Sequence, residues 1–167
     1  MTITAESVTA RLVHSRRQAT TLTVLHPKGG VGRSTTVYML GAELALRGHR
    51  VALIDRDQGK HLSRIFEFYP PGIDGLVLED RDDVDIRIVD TAPEVDYARA
   101  LGYLREADWA LVPVKGPEAG SVLALPLLMD WLGPAIVHAG HEWAPLLAAV
   151  VLTGEGWHFS RRRAEKR

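Results

Sequence analysis

The chain has 167 residues, the size of one ordinary domain and too few for two separate cores. Hydrophobic residues make up 46% and charged residues 25%, globular proportions that exclude wholesale disorder, while the absence of cysteine excludes a disulfide scaffold, a Cys-based zinc site and a thiol nucleophile and agrees with a reducing, cytoplasmic setting. The net charge of −1 hides a basic C-terminal end, where Arg161, Arg162, Arg163, Lys166 and Arg167 face a single acid, so any pull on nucleic acid is local.

The opening stretch has no apolar run or small-residue cleavage site of an export signal. No segment approaches about 18 uninterrupted apolar residues, so no stable membrane insertion is expected. Residues 1–20 read as an N-terminal extension. A short helix over Ser7–Ala19, with Arg11, Arg16 and Arg17 on its polar side, either docks on the domain or anchors it to a surface.

Thr21–His26 is a β-branched apolar run ending at a glycine cluster, which predicts a buried strand. Ser34–Arg47 follows with helical spacing of Val37, Leu40 and Leu44, and Gly48 stops it. Val51–Asp55 is a second buried strand. Residues 56–84 are irregular, with a turn at Pro70-Pro71-Gly72 and an acidic stretch at Glu79–Asp85. Strands at Asp85–Asp90, Trp109–Val114 and Leu146–Leu152 alternate with helices at Val95–Ala107 and Glu118–Leu132. Strands apolar on both faces and separated by helices predict an α/β fold, a mainly parallel sheet with helices on both faces. Ligands of such sheets sit at the carboxyl ends of the strands. That rule points to Pro27–Thr36, Asp55–Asp57, Asp90–Glu94 and Pro113–Gly116, which should converge.

Pro27–Thr36 joins the first strand to the first helix. Gly29, Gly30 and Gly32 leave room for a backbone that curls with its N–H groups inward, and the helix adds its positive end. Ser34 stands where a hydroxyl can ligate the Mg2+ of a nucleotide, and Thr35 supplies a second hydroxyl for the α-phosphate. The generic loop G-x-x-x-x-G-K-[ST] fails at Pro27 and at Arg33. A dinucleotide fingerprint fits Gly30 and Gly32 but meets Thr35 at its third glycine. An ordinary glycine-rich turn would not require hydroxyls straight after it or acids at the next two strand ends.

Lys28-Gly29-Gly30-Val31-Gly32-Arg33-Ser34-Thr35 resembles the deviant Walker A loop of the ParA/MinD class of ATPases. The resemblance continues in Val51–Asp57, in Asp85–Pro93 and in Ala107–Val114, four motifs in order over most of the chain. It implies a P-loop NTPase-like domain over residues 21–155, followed by a basic tail over 156–167. It also implies binding of ATP and Mg2+, a nucleotide-dependent homodimer, and hydrolysis to ADP and phosphate in DNA segregation or cargo positioning. In this resemblance Lys28 reaches the phosphates bound by the other subunit, and Asp57 positions the attacking water. Gly29, Gly30, Val31, Gly32, Arg33, Ser34 and Thr35 hold the nucleotide, and Ser34, Asp55 and Asp90 stand near the metal. The tail residues Arg161, Arg162, Arg163, Lys166 and Arg167 suit non-specific DNA, with a ParB-like adaptor as a further partner and a place in the cytoplasm or on the nucleoid.

Three departures bear on this. Arg33 replaces the loop lysine, keeping the charge on a wider, planar group, so that binding can survive while hydrolysis slows. Asp57-Gln58-Gly59 lacks the family's proline after the acidic pair. The sequence also lacks the elements that in the family follow the last strand and help enclose adenine. Two alternatives follow: a non-hydrolysing, nucleotide-gated scaffold or filament protein, and a dinucleotide-binding domain with Asp55 on a ribose. His138-Ala139-Gly140-His141-Glu142 has ligand-like spacing, but Gly140 interrupts any helix that would align it, which favours a surface turn over a metal site.

Overall fold

The computed structural model describes residues 19–93, 97–115 and 147–153, with positions 126, 130, 132–134 and 137–138. Its elements are β1 (Thr20–Val24), α1 (Arg33–Leu46), β2 (Val51–Asp55), α2 (His61–Phe68), β3 (Leu76–Val77), β4 (Ile86–Asp90), α3 (Tyr97–Arg105), β5 (Trp109–Lys115) and β6 (Leu147–Thr153). The six strands form one sheet in the order β3-β2-β4-β1-β5-β6, and every pairing is parallel.

Alternation along the strands sorts the two faces. Leu22, Val24, Leu53, Ile86 and Ile88 turn to one side, where Val37, Leu44 and Ala45 of α1 and Leu62 of α2 complete the core. Thr21, Thr23, Arg87 and Val89 turn to the other side. There they line a cavity of about 380 Å³ together with Gly102, Tyr103 and Glu106 at α3. Helices therefore lie on both faces, although Thr21, Thr23 and Arg87 make the α3 side of β1 and β4 more polar than strands apolar on both faces would be.

α1 lies close on the sheet because residue 41 is glycine: a Cβ there would come 2.5 Å from Leu53 Cδ2. The helix ends in a Schellman motif, with the N–H of Gly48 donating to Ala45 O and that of His49 to Leu44 O. The chain then enters β2.

The stretch expected to be irregular differs. Within residues 56–84 the chain forms α2 and the two-residue strand β3. Leu62, Ile65 and Phe66 have helical spacing, and Leu62 is fully buried against the core. β1 also begins at Thr20, paired with Ile86, one residue earlier than the sequence suggests. The expected helix over Ser7–Ala19 and the basic tail lie outside the described residues, as does most of the expected helix over Glu118–Leu132. His138 is exposed and helical and its ring meets Tyr97, whereas Ala139–Glu142 lie outside the described residues.

β1 sits between β4 and β5, and the connections diverge at its carboxyl end. From β1 the chain passes through α1 to β2 on one side, and from β4 through α3 to β5 on the other. That divergence opens a crevice above β1, the usual ligand position of an open α/β sheet.

Candidate functional site

The register places the acids. Val24 pairs with Asp90, and Asp90 pairs with Asp55, so both carboxylates end neighbouring strands level with the end of β1. The loop from Leu25 to Gly32 crosses above them. Gly30 (φ 75) and Gly32 (φ 88) are left-handed, a conformation that leaves room for glycine and little for other residues. Gly32 is the N-cap of α1. No side chain caps that end and no acid stands in the first turn, so the positive end of α1 faces the loop uncompensated.

Arg33, the first residue of α1, is 8% exposed and turns inward under the loop. Its Nη1 donates to His26 O at 2.7 Å and to Lys28 O at 2.8 Å. Burial lowers its pKa from the ordinary arginine value, against the opposing pull of Asp90 and Asp57. Lys28 is exposed at the lip of the loop, where its N–H donates to His26 Nδ1 at 3.0 Å. Ser34 is half-buried and Thr35 exposed on the first turn of α1.

Asp90 is fully buried, and among the described residues neither carboxylate oxygen completes a hydrogen bond. Burial raises its pKa to about 6; the nearby Ser34 hydroxyl and Arg33 oppose the rise, and Asp55 and Asp57 add to it. A buried carboxylate without a donor is costly, and a hard cation beside Ser34 is the partner this chemistry fits.

Asp55 is placed alike but differently engaged. Its Oδ1 accepts the N–H of Asp57 at 3.0 Å, and its Oδ2 accepts Ser63 N–H at 2.9 Å and Ser63 Oγ–H at 2.6 Å. It thereby caps α2 from six residues upstream of the helix, a role absent from the sequence reading.

Asp57 is 4% exposed. Its Oδ1 accepts Gly59 N–H at 3.0 Å, and its Oδ2 lies 2.6 Å from His61 Nδ1. Burial works against its ionisation, yet the bonds from His61 and Gly59 and the charge of Arg33 hold its pKa below the usual carboxylate value. His26, His61 and Ser63 were not singled out from sequence. The Asp57-x-x-x-His61 spacing is the signal that could have found His61, although Asp57 precedes the helix.

Three of the four expected strand ends thus converge. Asp57 and Asp90 act on Arg33, and a Cβ on Gly29 would lie 3.8 Å from Pro93 Cβ. At the fourth, β5 runs to Lys115, and Gly116 lies outside the described residues.

No curated protein matches the chain significantly. Among solved structures it is similar to a plasmid partition protein from Borrelia burgdorferi B31 bound to AMPPNP, at 19% identity and a TM-score of 0.60, over 83% of this chain and 76% of that one. It is similar to cobyrinic acid a,c-diamide synthase from Mycobacterium smegmatis with an ATP analog and magnesium, at 18% identity and a TM-score of 0.56, over 80% and 72%. The pNOB8 ParA bound to nonspecific DNA is a third, at 20% identity and a TM-score of 0.56, over 70% and 60%. These likenesses establish the P-loop NTPase-like fold. Residues 22–122 match the CobQ/CobB/MinD/ParA nucleotide binding domain, well over half of the chain, and they carry the glycine loop and both acid-tipped strands: the chain belongs to that family.

Proposed function

We propose that this chain is a ParA-like ATPase that binds ATP with Mg2+, dimerises on the nucleotide, and uses the cycle in DNA segregation or cargo positioning. The observation that carries the reading is the pairing of an uncapped helix end under a glycine-formed loop with a buried, unpartnered Asp90 beside Ser34. The first suits a polyphosphate and the second suits the cation that accompanies it. The ligands named with the Borrelia and Mycobacterium structures support the same pair.

The roles divide as follows. Amides of Gly29–Gly32 and the first turn of α1 hold the phosphates, with Thr35 toward the α-phosphate. Ser34 and Asp90 would hold Mg2+, with Asp55 behind them, and the ion would offset charge on the phosphate oxygens. Asp57, ionised and fixed by Gly59 and His61, orients a water for attack on the γ-phosphorus. The bond from the water oxygen to the γ-phosphorus forms as the bridging P–O bond breaks, and the water's proton passes to the phosphate released beside ADP. Lys28, exposed at the lip, suits a contact across a dimer to the partner's phosphates. The test is a titration of the purified chain with ATP, with and without Mg2+. Saturable, Mg2+-dependent binding is expected. Absence of saturation overturns the reading, and metal-independent binding redirects it to a dinucleotide site.

Arg33 favours a second reading, a nucleotide-gated scaffold that does not hydrolyse, because its Nη1 is bonded to the loop's own carbonyls. Phosphate release by the wild type and by Asp57→Ala separates the two. A rate at least about tenfold lower in the variant supports the ATPase, and equal slow rates support the scaffold.

A further inference from the structure

The loop between His26 and Arg33 contains three glycines, which make it able to curl but leave it poorly ordered by its own side chains. Beside the buried Val31, Arg33 braces it from within. Arg33 is the residue at which α1 begins, and its Nη1 donates to His26 O at the root of the loop and to Lys28 O on the rising limb. Nη1 carries two hydrogens, and these two bonds take up both. The bond to His26 is buried, and His26 in turn holds the N–H of Lys28 through its Nδ1. The result is a closed set of contacts across the neck of the loop. The guanidinium plane also fixes where its other donors stand: Nε is buried and makes no hydrogen bond among the described residues. An ammonium at this position would be a single point free to follow a phosphate. The fork of an arginine moves as a unit, so Nη1 leaves the carbonyls only if the whole group leaves.

We propose that Arg33 is a positioning residue that braces the phosphate loop from inside, so that the loop is preformed before nucleotide arrives and a bound triphosphate is held longer than it is turned over. This rests on the reading of the site as a nucleoside triphosphate site. The cation at this position is therefore committed to the loop through Nη1.

The experiment compares wild type, Arg33→Lys and Arg33→Met. Amide hydrogen exchange of Lys28, whose N–H donates to His26 Nδ1, is measured without nucleotide, and phosphate release is measured with Mg2+ and varied ATP. Both variants are expected to exchange the Lys28 amide about tenfold faster or more, with far-UV circular dichroism unchanged. Arg33→Lys is expected to raise kcat by about tenfold with a smaller change in KM, while Arg33→Met, lacking a cation, does not raise it. Unchanged loop exchange in Arg33→Lys, or a kcat equal to or below that of the wild type, overturns the proposal. Should Arg33→Met fail to fold, Arg33→Lys carries the comparison alone. The exchange arm needs no nucleotide. A wild type that fails to bind ATP therefore removes the functional reading, while exchange still decides whether Arg33 braces the loop.

Discussion

Asp90 is the residue on which the site's chemistry and the chain's stability pull in opposite directions. Its pKa of about 6 lies above the ordinary 3.8, so the folded state holds the proton more tightly than the unfolded chain does. The contribution to stability is present below about pH 4 and is lost as pH rises through about 6. Above that, the ionised carboxylate costs the fold roughly 3 kcal/mol. Asp90→Asn removes the cost. Without Mg2+ the variant is expected to melt higher than the wild type at pH 8, and the two should converge near pH 4. Mg2+ with ATP should raise the melting temperature of the wild type alone. A variant that melts lower at pH 8 would contradict this. At this scale the sequence was partly legible. An acid ending an apolar run signals a carboxylate in need of a cation, and Asp90 is buried at the end of β4. The identity of Arg33 was equally visible, but its inward turn was not, because the carbonyls it bonds belong to backbone whose path the sequence does not spell out. His61 escaped for a related reason: its partner Asp57 lies before the helix that carries it.

At the scale of elements, α2 explains why the second acid-bearing strand looks different from the fourth. Its N-cap, Lys60, is left-handed (φ 51) and supplies no side-chain cap. Asp55 replaces it by accepting the N–H of Ser63. Asp55→Ala should therefore cost roughly 1–2 kcal/mol in denaturant unfolding without Mg2+. Asp55→Asn keeps an acceptor oxygen and should lose much less. Equal losses would show that the charge, and not the cap, matters to the fold. The same arrangement accounts for the element missing from the sequence reading. A helix of eight residues whose cap comes from the end of β2 carries no local start signal, and the following Pro-Pro-Gly turn masks its short apolar stripe. The strands were legible because a buried parallel sheet needs continuous apolar runs, and β2 spans Val51–Asp55 as its composition predicts. β3 was not, since two residues are too few for any periodicity.

For the whole molecule, the open question is how a body of nearly balanced charge would hold DNA. The net charge is −1, and the bases that could contact phosphates in a row are concentrated at Arg161, Arg162, Arg163, Lys166 and Arg167. Five cations on one tail release few counterions, giving a log–log salt slope of roughly −4 to −5 at most. Two tails brought together by a nucleotide-dependent dimer would engage a duplex at two points, and the second contact would form at high effective concentration. DNA binding is therefore expected to be weak without nucleotide, stronger with ATP and Mg2+, and steeply sensitive to salt in both states. Deleting residues 161–167 should abolish the salt-sensitive component while leaving ATP affinity unchanged, because the glycine loop, Arg33 and Asp90 belong to the sheet and its crevice. The measurement is fluorescence anisotropy of an arbitrary duplex titrated with the full chain and with the shortened one, each with and without ATP and Mg2+ over a range of salt. Binding that survives the deletion with the same slope places the contact on the domain itself. Binding that is lost with the tail but never depends on nucleotide separates the DNA contact from the ATP-driven dimer.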